Sequence, residues 1–219
     1  MSDDRPTNSE GPDRRLPRAE PVAMSFKQME NWLLVRLQDE TVDRKQALRH
    51  LARFYADRRC YDEALERLRE LMAAEDDLEE KAAIVLATGG IAEMKGDFEA
   101  AVRFYREAFA LEPERNDVWF FVNNNLGYSL NKLGQFAEGE KFCRTAIEIN
   151  AARPNGHKNL GVALAGQGRL AEAARCWVMA TKVAPGDTRS HDLLKDLLRH
   201  HPELANEFGL GGATDRPSP

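Results

Sequence analysis

Apolar side chains recur at helical spacing along most of the chain. From residue 43 to about residue 199 they return every three or four positions, and no segment shows the strict alternation of a strand. Helix starts are marked by Ser or Asp followed three residues later by Gln or Glu, the spacing of a capping box. These pairs are Ser25 with Gln28, Asp43 with Gln46 and Asp77 with Glu80. The pattern predicts an all-α protein.

The helical stretches are interrupted at regular intervals. Tight breaks, each between two amphipathic stretches, fall at Gly96-Asp97, Gly134-Gln135 and Gly168-Arg169. Longer breaks contain proline, at Pro113, Arg153-Pro154 and Pro185-Gly186. A tight turn that alternates with a longer turn predicts helical hairpins repeated along the chain.

Small and large side chains repeat in register with these hairpins. The small residues fall where the two helices of a hairpin cross, so that the backbones can approach closely. They are Gly89, Gly127 and Gly161 in the first helices and Ala64, Ala101, Gly139 and Ala173 in the second. A lone hairpin cannot bury its apolar face, whereas stacked hairpins can, each contacting its neighbours.

In these features the chain resembles the tetratricopeptide repeat family, whose unit is about 34 residues long. The clearest copy is residues 154–187, with Leu160-Gly161, Ala173, Trp177 and Pro185 at the family's positions; the others are residues 45–78, 82–115 and 120–153. The resemblance implies a right-handed α-solenoid of about four hairpins within a repeat domain of residues 43–208. It also implies capping helices, for which residues 24–42 and residues 188–200 are the candidates.

Composition narrows the classes of function. The chain has 219 residues and a net charge of −5 with both signs interspersed, which argues against nucleic-acid binding. Its three cysteines are far apart, so neither a disulfide framework nor a thiolate metal site is expected. No run approaches the roughly 20 apolar residues of a membrane span, and we expect a cytoplasmic protein. Residues 1–23 and 209–219, rich in Pro, Gly and charge, are predicted to be disordered tails.

The resemblance implies that the first helices of the hairpins line a concave groove. In the third and fourth repeats the predicted groove residues are polar: Asn124, Asn125, Tyr128, Asn131, Lys132, Asn155, Lys158, Asn159 and Arg189. A carboxamide offers a donor and an acceptor that match one peptide unit. In the family, asparagine at the position of Asn125 and Asn159 contacts a peptide backbone. The cations would favour an acidic stretch or a C-terminal carboxylate.

The first two repeats present a different surface. A basic strip in the first repeat lies beside small and apolar positions in the second: Gln46, Arg49, His50 and Arg53 next to Ala83, Leu86, Ala87 and Gly90. Two hypotheses stay open for this surface. It would take an apolar anchor of the ligand, or it would hold the helix of residues 25–39 of the same chain.

We therefore expect a protein-interaction adaptor that has no catalytic residue, metal or cofactor and binds a partner peptide in the concave groove. One alternative is a small escort resembling bacterial secretion chaperones, a homodimer formed through the N-terminal helix with its Trp32. A second, of another class, is a metal-assisted enzyme that uses His157 and His191, which occupy equivalent positions in consecutive units. No phosphate-binding loop, GxSxG or HExxH motif is present.

Overall fold

The computed structural model describes residues 25–114 and 116–207, and this part of the chain contains eleven α-helices and no strand. The helices are α1 (Phe26–Gln38), α2 (Arg44–Asp57), α3 (Tyr61–Ala73), α4 (Leu78–Lys95), α5 (Phe98–Ala110), α6 (Asn116–Lys132), α7 (Phe136–Ile149), α8 (Pro154–Gly166), α9 (Leu170–Val183), α10 (Thr188–His200) and α11 (Glu203–Glu207). None of these helices is both long enough and apolar enough to cross a membrane. The predicted tails, residues 1–23 and 209–219, lie outside the described residues.

Side-chain caps explain where several helices begin. The Ser25 hydroxyl accepts a hydrogen bond from the Gln28 N–H at 3.3 Å, and the Gln28 side chain accepts one from the Ser25 N–H at 2.9 Å. The capping box predicted for α1 is therefore confirmed. The Asp43 and Asp77 carboxylates cap α2 and α4 by accepting from N–H groups of the first turn, which otherwise lack partners.

Glycine shapes the tight turn inside three hairpins. Gly96, Gly134 and Gly168 follow α4, α6 and α8 and have φ angles of 81°, 74° and 78°. This left-handed conformation costs least for glycine, which has no Cβ. The chain can therefore reverse within two or three residues and start the second helix of the hairpin.

The helices stack in chain order. Each of the pairs α2–α3, α4–α5, α6–α7 and α8–α9 packs as an antiparallel hairpin, and each second helix contacts the first helix of the next pair. First helices of successive hairpins also touch, α4 with α6 and α6 with α8. At the ends, α1 packs on α2 and α10 packs on α9. The prediction of a helical solenoid with a helix at each end is confirmed.

Glycine also allows the two helices of a hairpin to approach closely. A Cβ at position 161 of α8 would overlap the indole of Trp177 on α9. That indole is buried, and its Nε1–H donates a hydrogen bond to the Lys158 carbonyl at 3.1 Å. Gly89 of α4 has the same relation to α5, since its Cβ would lie 2.5 Å from Cε1 of Tyr105.

The N-terminal helix lies against α2. Leu33 is buried in the core formed with Leu48 and Leu51, and the rings of Phe26 and Phe54 stack at 5.2 Å. Of the described residues that line the pocket between α2 and α4, none belongs to α1. The hypothesis that α1 fills the groove is therefore wrong. The apolar side chains of α1 pack instead against the core residues of α2.

One carboxyl group is enclosed by the packing of α4 and α5. Glu93 accepts a hydrogen bond from the Tyr105 hydroxyl at 2.9 Å. Burial raises the pKa of the Glu93 carboxyl, and the hydrogen bond from Tyr105 offsets this only in part. Burial also raises the pKa of the Tyr105 hydroxyl. The ionised form of Glu93 is thus disfavoured in the folded protein.

Substituting glycine by alanine in two first helices tests the close approach. Gly161→Ala is expected to lower the free energy of unfolding by about 1–3 kcal/mol, because its Cβ overlaps the Trp177 indole. Gly90→Ala is the matched control: its Cβ would come no closer than 3.9 Å to the Tyr105 hydroxyl. Removing a helix-interior glycine there is expected to add about 0.5–1 kcal/mol. Urea denaturation measures both values, and a stabilising Gly161→Ala would contradict the packing described.

A change of pH tests the enclosed carboxyl. Glu93→Gln is expected to raise the free energy of unfolding near pH 7, because a neutral amide still accepts from Tyr105 without the cost of burying charge. The folded-state pKa of Glu93 lies above the unfolded value of about 4.3, so wild type gains stability as pH falls through the folded pKa. The advantage of the variant should therefore shrink towards about pH 4. Urea titrations across this pH range measure the difference in free energy of unfolding between the variant and wild type. A difference that grows on acidification would exclude the burial of the Glu93 charge as its cause.

Candidate functional site

Three of the predicted groove asparagines form a buried seam between α6 and α8. Asn124, Asn131 and Asn159 are 4%, 6% and 6% exposed. The Asn159 amide donates to the Asn124 Oδ1 at 3.1 Å, and the Asn131 amide donates to the Asn159 carbonyl at 2.9 Å. The prediction that these three side chains are free for a ligand is wrong. Since α6 and α8 are in direct contact, their facing positions meet each other rather than solvent.

The neighbouring asparagines of α6 differ from one another. Asn125 is half-buried and accepts a hydrogen bond from the Asn124 amide at 3.0 Å. Asn123 is buried, and its amide donates to the Trp119 carbonyl one turn earlier at 2.8 Å. It acts within its own helix and is not a groove residue.

The remaining predicted residues divide between two places. The Lys132 ammonium lies 5.4 Å from the centre of the Phe98 ring on α5. The Lys158 ammonium donates a hydrogen bond to the Asn155 Oδ1 at 2.9 Å and lies 3.7 Å from a carboxylate oxygen of Asp187. The structure brings Tyr128, Lys158, Asn159 and Arg189 together, and it leaves Asn125, Lys132 and Asn155 outside their pocket.

That pocket lies between α6, α8 and α10 and has a volume of about 620 Å³. Besides the four predicted residues it is lined by Val162, Asp192, Leu193, Lys195, Asp196 and Arg199. Most of these come from α10, which the sequence marked as a cap with a single groove residue. Continuing from Arg189 in steps of three and four along α10 would have found them. We call this space the α10 pocket.

The α10 pocket has an excess of positive charge. Four cations line it, Lys158, Arg189, Lys195 and Arg199, against the two carboxylates Asp192 and Asp196. Arg199 is paired with Asp196 at 3.0 Å. Among the described residues nothing forms an ion pair with Arg189 or Lys195, and both side chains are exposed. Two cations are therefore available to an anionic ligand.

The hydroxyl of Tyr128 completes the polar wall of this pocket. Tyr128 is half-buried, and its ring meets that of Phe98 edge to face at 6.1 Å. Burial raises the pKa of its hydroxyl, and the nearby Arg189 charge opposes that shift. The hydroxyl stays protonated at neutral pH and can both donate and accept a hydrogen bond beside Arg189.

A second pocket, between α2 and α4, is apolar. Its volume is about 370 Å³, and it contains Ala83, Ala87 and Gly90 of the predicted apolar surface together with Arg49 and Arg53 of the predicted basic strip. The juxtaposition expected from the first two repeats is therefore present. We call this space the α4 pocket.

The alternative of a metal-assisted enzyme receives no support from the side chains. Within residues 25–114 and 116–207, no group of three or more His, Cys, Asp or Glu side chains is placed to hold a metal ion. The His157 Nε2 lies 3.0 Å from the Ala151 carbonyl and the His191 Nδ1 lies 3.1 Å from the Asp187 carbonyl. Burial raises the pKa of the Cys143 thiol to about 12, so it stays protonated and unreactive.

Comparison with known proteins agrees with this architecture. The family model for the tetratricopeptide repeat matches residues 122–153, which include most of α6 and all of α7. Tetratricopeptide repeat protein 7B of Homo sapiens is 30% identical over 100 residues. The match covers 46% of this chain but 11% of that protein, so the chain corresponds to a small part of its length.

Solved structures extend the similarity to most of the stack. MamA from residue 41 to its end, from Desulfovibrio magneticus RS-1, superposes with a TM-score of 0.62 at 20% identity and covers 76% of this chain and 92% of that chain. The first tetratricopeptide domain of Spaghetti (RPAP3), solved bound to the HSP90 peptide SRMEEVD, superposes with a TM-score of 0.51 at 18% identity. That match covers 57% of this chain and 95% of that one.

At such identities the superpositions establish the fold. The family match and the curated relative add the sequence pattern, which coincides with the hairpins seen in the structure. On these grounds the chain is a tetratricopeptide repeat protein.

Proposed function

We propose that the chain is a non-catalytic interaction scaffold that holds an anionic peptide segment of a partner, an acidic stretch or a C-terminal carboxylate, in the α10 pocket. The observation that carries the proposal is the Arg189 guanidinium, exposed beside Tyr128 with no carboxylate of the described chain paired to it. A guanidinium presents its donors in a planar fork that matches a carboxylate.

The α8 side of the α10 pocket is supported by hydrogen bonds with neighbouring helices. Its Asn159 side chain is fixed by donation to Asn124, and the carbonyls of Lys158 and Asn159 each receive a further hydrogen bond, from Trp177 and Asn131. Preorganised polar groups lose less entropy on binding than mobile ones. The α8 side of the pocket is thus suited to hold a peptide in one register.

The similar Spaghetti domain gives independent support for the ligand class. Its bound peptide, SRMEEVD, contains three acidic residues among seven. The corresponding charge here comes from Arg189 and Lys195 of α10 rather than from a set of first-helix lysines.

A second candidate function is the dimeric escort, and one observation favours it. Trp32 and Val35 on the outer side of α1 are exposed, while the opposite side of α1 packs on α2. Exposed large apolar groups on a terminal helix favour a contact with another protein surface. Analytical ultracentrifugation of the full chain distinguishes the two functions, since only the escort requires a dimer through α1.

Reversal of one charge tests the proposed binding. The probe is the fluorescent peptide SRMEEVD with a free C-terminus, compared with the amide analogue SRMQQVN, in which all three acidic side chains and the C-terminal carboxylate are replaced by amides. Arg189→Glu is expected to weaken binding of the acidic peptide by about tenfold or more, because a carboxylate then faces the ligand. Fluorescence polarisation measures the affinities.

The matched control is Arg103→Glu, the same reversal on the exposed surface of α5 outside both pockets. It should leave the affinity within about twofold of wild type. Equal binding of the acidic peptide and its amide analogue, or equal losses in the two variants, would show that the α10 pocket does not recognise anionic peptides.

A pair of asparagine substitutions in α8 tests which amides support the pocket. Asn159→Ala is expected to lower the free energy of unfolding by about 1–3 kcal/mol, because it leaves the buried Asn124 Oδ1 without its donor. Asn155→Ala is the control, since Asn155 is exposed and should change stability by no more than about 0.5 kcal/mol. Thermal and urea denaturation measure both, and equal stabilities would contradict a structural role for Asn159.

A further inference from the structure

We infer that the second helices of the first two hairpins hold a docking site for one large apolar side chain of a partner peptide, in which that side chain stands between an acidic and a basic residue. The site lies between α3 and α5, and we call it the α3–α5 pocket. It is separate from the α10 pocket, and the inference does not depend on what the α10 pocket binds. It rests on the position of the pocket, on its apolar walls and on two unpaired charges at its rim.

The α3–α5 pocket opens on the side of α4 that faces away from the α4 pocket. Val85 and Thr88 of α4 form its floor, whereas Ala83 and Ala87 line the α4 pocket. Because an α-helix has about 3.6 residues per turn, Val85 and Thr88 lie roughly opposite Ala83 and Ala87 around the helix axis. The pocket therefore lies on the side of the stack that the second helices form, away from the groove of the first helices.

Two helix faces form the walls of the α3–α5 pocket. On α3, Leu65, Arg69 and Met72 are spaced by three or four residues and so share one face, as Phe104 and Glu107 do on α5. Leu65, Met72 and Phe104 are only half-buried, so apolar surface remains uncovered between the two helices. The unbranched thioether of methionine adapts to partners of different shape.

The size of the α3–α5 pocket suits a single side chain. Its volume of about 220 Å³ is below the range of about 300–1,000 Å³ that is usual for small-molecule sites. The Thr88 hydroxyl in the floor already donates to the Ile84 carbonyl of its own helix at 2.9 Å, so the floor does not require a polar group of the ligand. Large side chains seated in such pockets carry much of the binding energy of many protein interfaces.

The rim of the α3–α5 pocket carries one charge of each sign. Arg69 and Glu107 are exposed, and neither side chain forms a hydrogen bond or an ion pair within residues 25–114 and 116–207. The neighbouring Arg106, in contrast, is paired with Glu138 of α7 at 2.8 Å. A peptide that brings a carboxylate to Arg69 and a cation to Glu107 complements both charges. Exposed ion pairs contribute little energy each, but they select the partner and its register.

The two rim charges favour a partner peptide as the occupant of this pocket. Helix α1 of the same chain packs on α2, and none of its residues lines the pocket. A rim with one charge of each sign is complementary to a peptide that carries both signs. Residues 1–24 of the same chain and a second copy of the chain are the other occupants, and the experiments below distinguish both from a partner peptide.

The first experiment selects ligands without assuming a sequence. Phage that display random linear peptides are panned on the full-length chain and on its Thr88→Phe variant, in which an aromatic ring fills the floor of the pocket. Wild type is expected to enrich peptides in which Leu, Met or Phe stands between an acidic and a basic residue, because the walls and the rim complement these features. The variant should not enrich them. No such enrichment on wild type, or the same enrichment on both proteins, would overturn the inference.

The second experiment measures one selected peptide by fluorescence polarisation. Thr88→Phe should weaken its binding by about tenfold or more, because the new ring occupies the space of the apolar side chain. Thr88→Val is the matched control, since it keeps the volume of the floor, and it should change the affinity by no more than about threefold. Equal affinities of the two variants would overturn the inference. Should Thr88→Phe unfold, the charge variants at the exposed rim carry the same test.

The third experiment reverses each rim charge. Arg69→Glu should weaken the selected peptide by about fivefold, and a peptide whose acidic residue is replaced by Lys should recover the affinity on that variant. Glu107→Arg should act in the same way, with recovery by a peptide whose basic residue is replaced by Glu. Lys141→Glu, on the exposed surface of α7 outside the pocket, is the control and should stay within about twofold of wild type. Losses that neither exchanged peptide recovers would overturn the inference.

The fourth experiment identifies the occupant. A photo-reactive amino acid in place of Ala73, which is exposed one turn after Arg69, should crosslink the selected peptide. Crosslinks to residues 1–24 or to a second copy, undisturbed by excess peptide, would overturn the inference. A peptide that loses affinity with Arg189→Glu but not with Thr88→Phe would also overturn it, and that result would leave the proposed role of the α10 pocket standing.

Discussion

The structure depends on the close approach of the two helices within each hairpin. A glycine on the first helix faces a bulky group on the second: Gly89 faces Tyr105, Gly127 faces the Cys143 thiol and Gly161 faces Trp177. In these three hairpins the glycine leaves room for a side chain of the second helix, and at Gly127 an added Cβ would also lie 3.0 Å from the Gly139 carbonyl oxygen. A hairpin packed in this way has two apolar faces and is stable only between neighbours. Everything on the concave side, including the spacing of α4, α6, α8 and α10, follows from this stacking.

The same contacts position the candidate binding residues. The Trp177 indole donates to the Lys158 carbonyl and the Asn131 amide donates to the next carbonyl, that of Asn159. Two adjacent backbone carbonyls of α8 thus accept hydrogen bonds from neighbouring helices, while the Lys158 side chain lines the α10 pocket. The buried asparagine amides therefore support the pocket, and the side chains left to contact a ligand are those of Arg189 and Lys195. We therefore expect the ligand to be recognised by its charge rather than by a row of free carboxamides.

The sequence predicted the fold further than it predicted the site. Capping pairs such as Ser25 with Gln28 and turn glycines such as Gly168 act locally, so their consequences can be derived from a few neighbouring residues. The burial of a side chain cannot be derived in this way, because it depends on how closely the first helices of two hairpins approach each other. Asn125 and Asn159 occupy equivalent positions in their repeats, yet Asn159 is buried against Asn124 while Asn125 is only half-buried. The sequence pattern did not predict that α10 contributes most of the pocket lining. It marked α10 as a capping helix, and the packing of α10 beside α6 and α8 is a tertiary feature.

The central claim is that the concave side of α6, α8 and α10 receives an anionic peptide. It is tested most directly by an NMR titration of the isotopically labelled full-length chain with the peptide SRMEEVD. The account predicts that the largest shift changes occur at Tyr128, Lys158 and Arg189 and that they diminish as salt is added, since exposed charges are screened. Changes confined to α3, α5 and α7, with Arg189 unaffected, would contradict it.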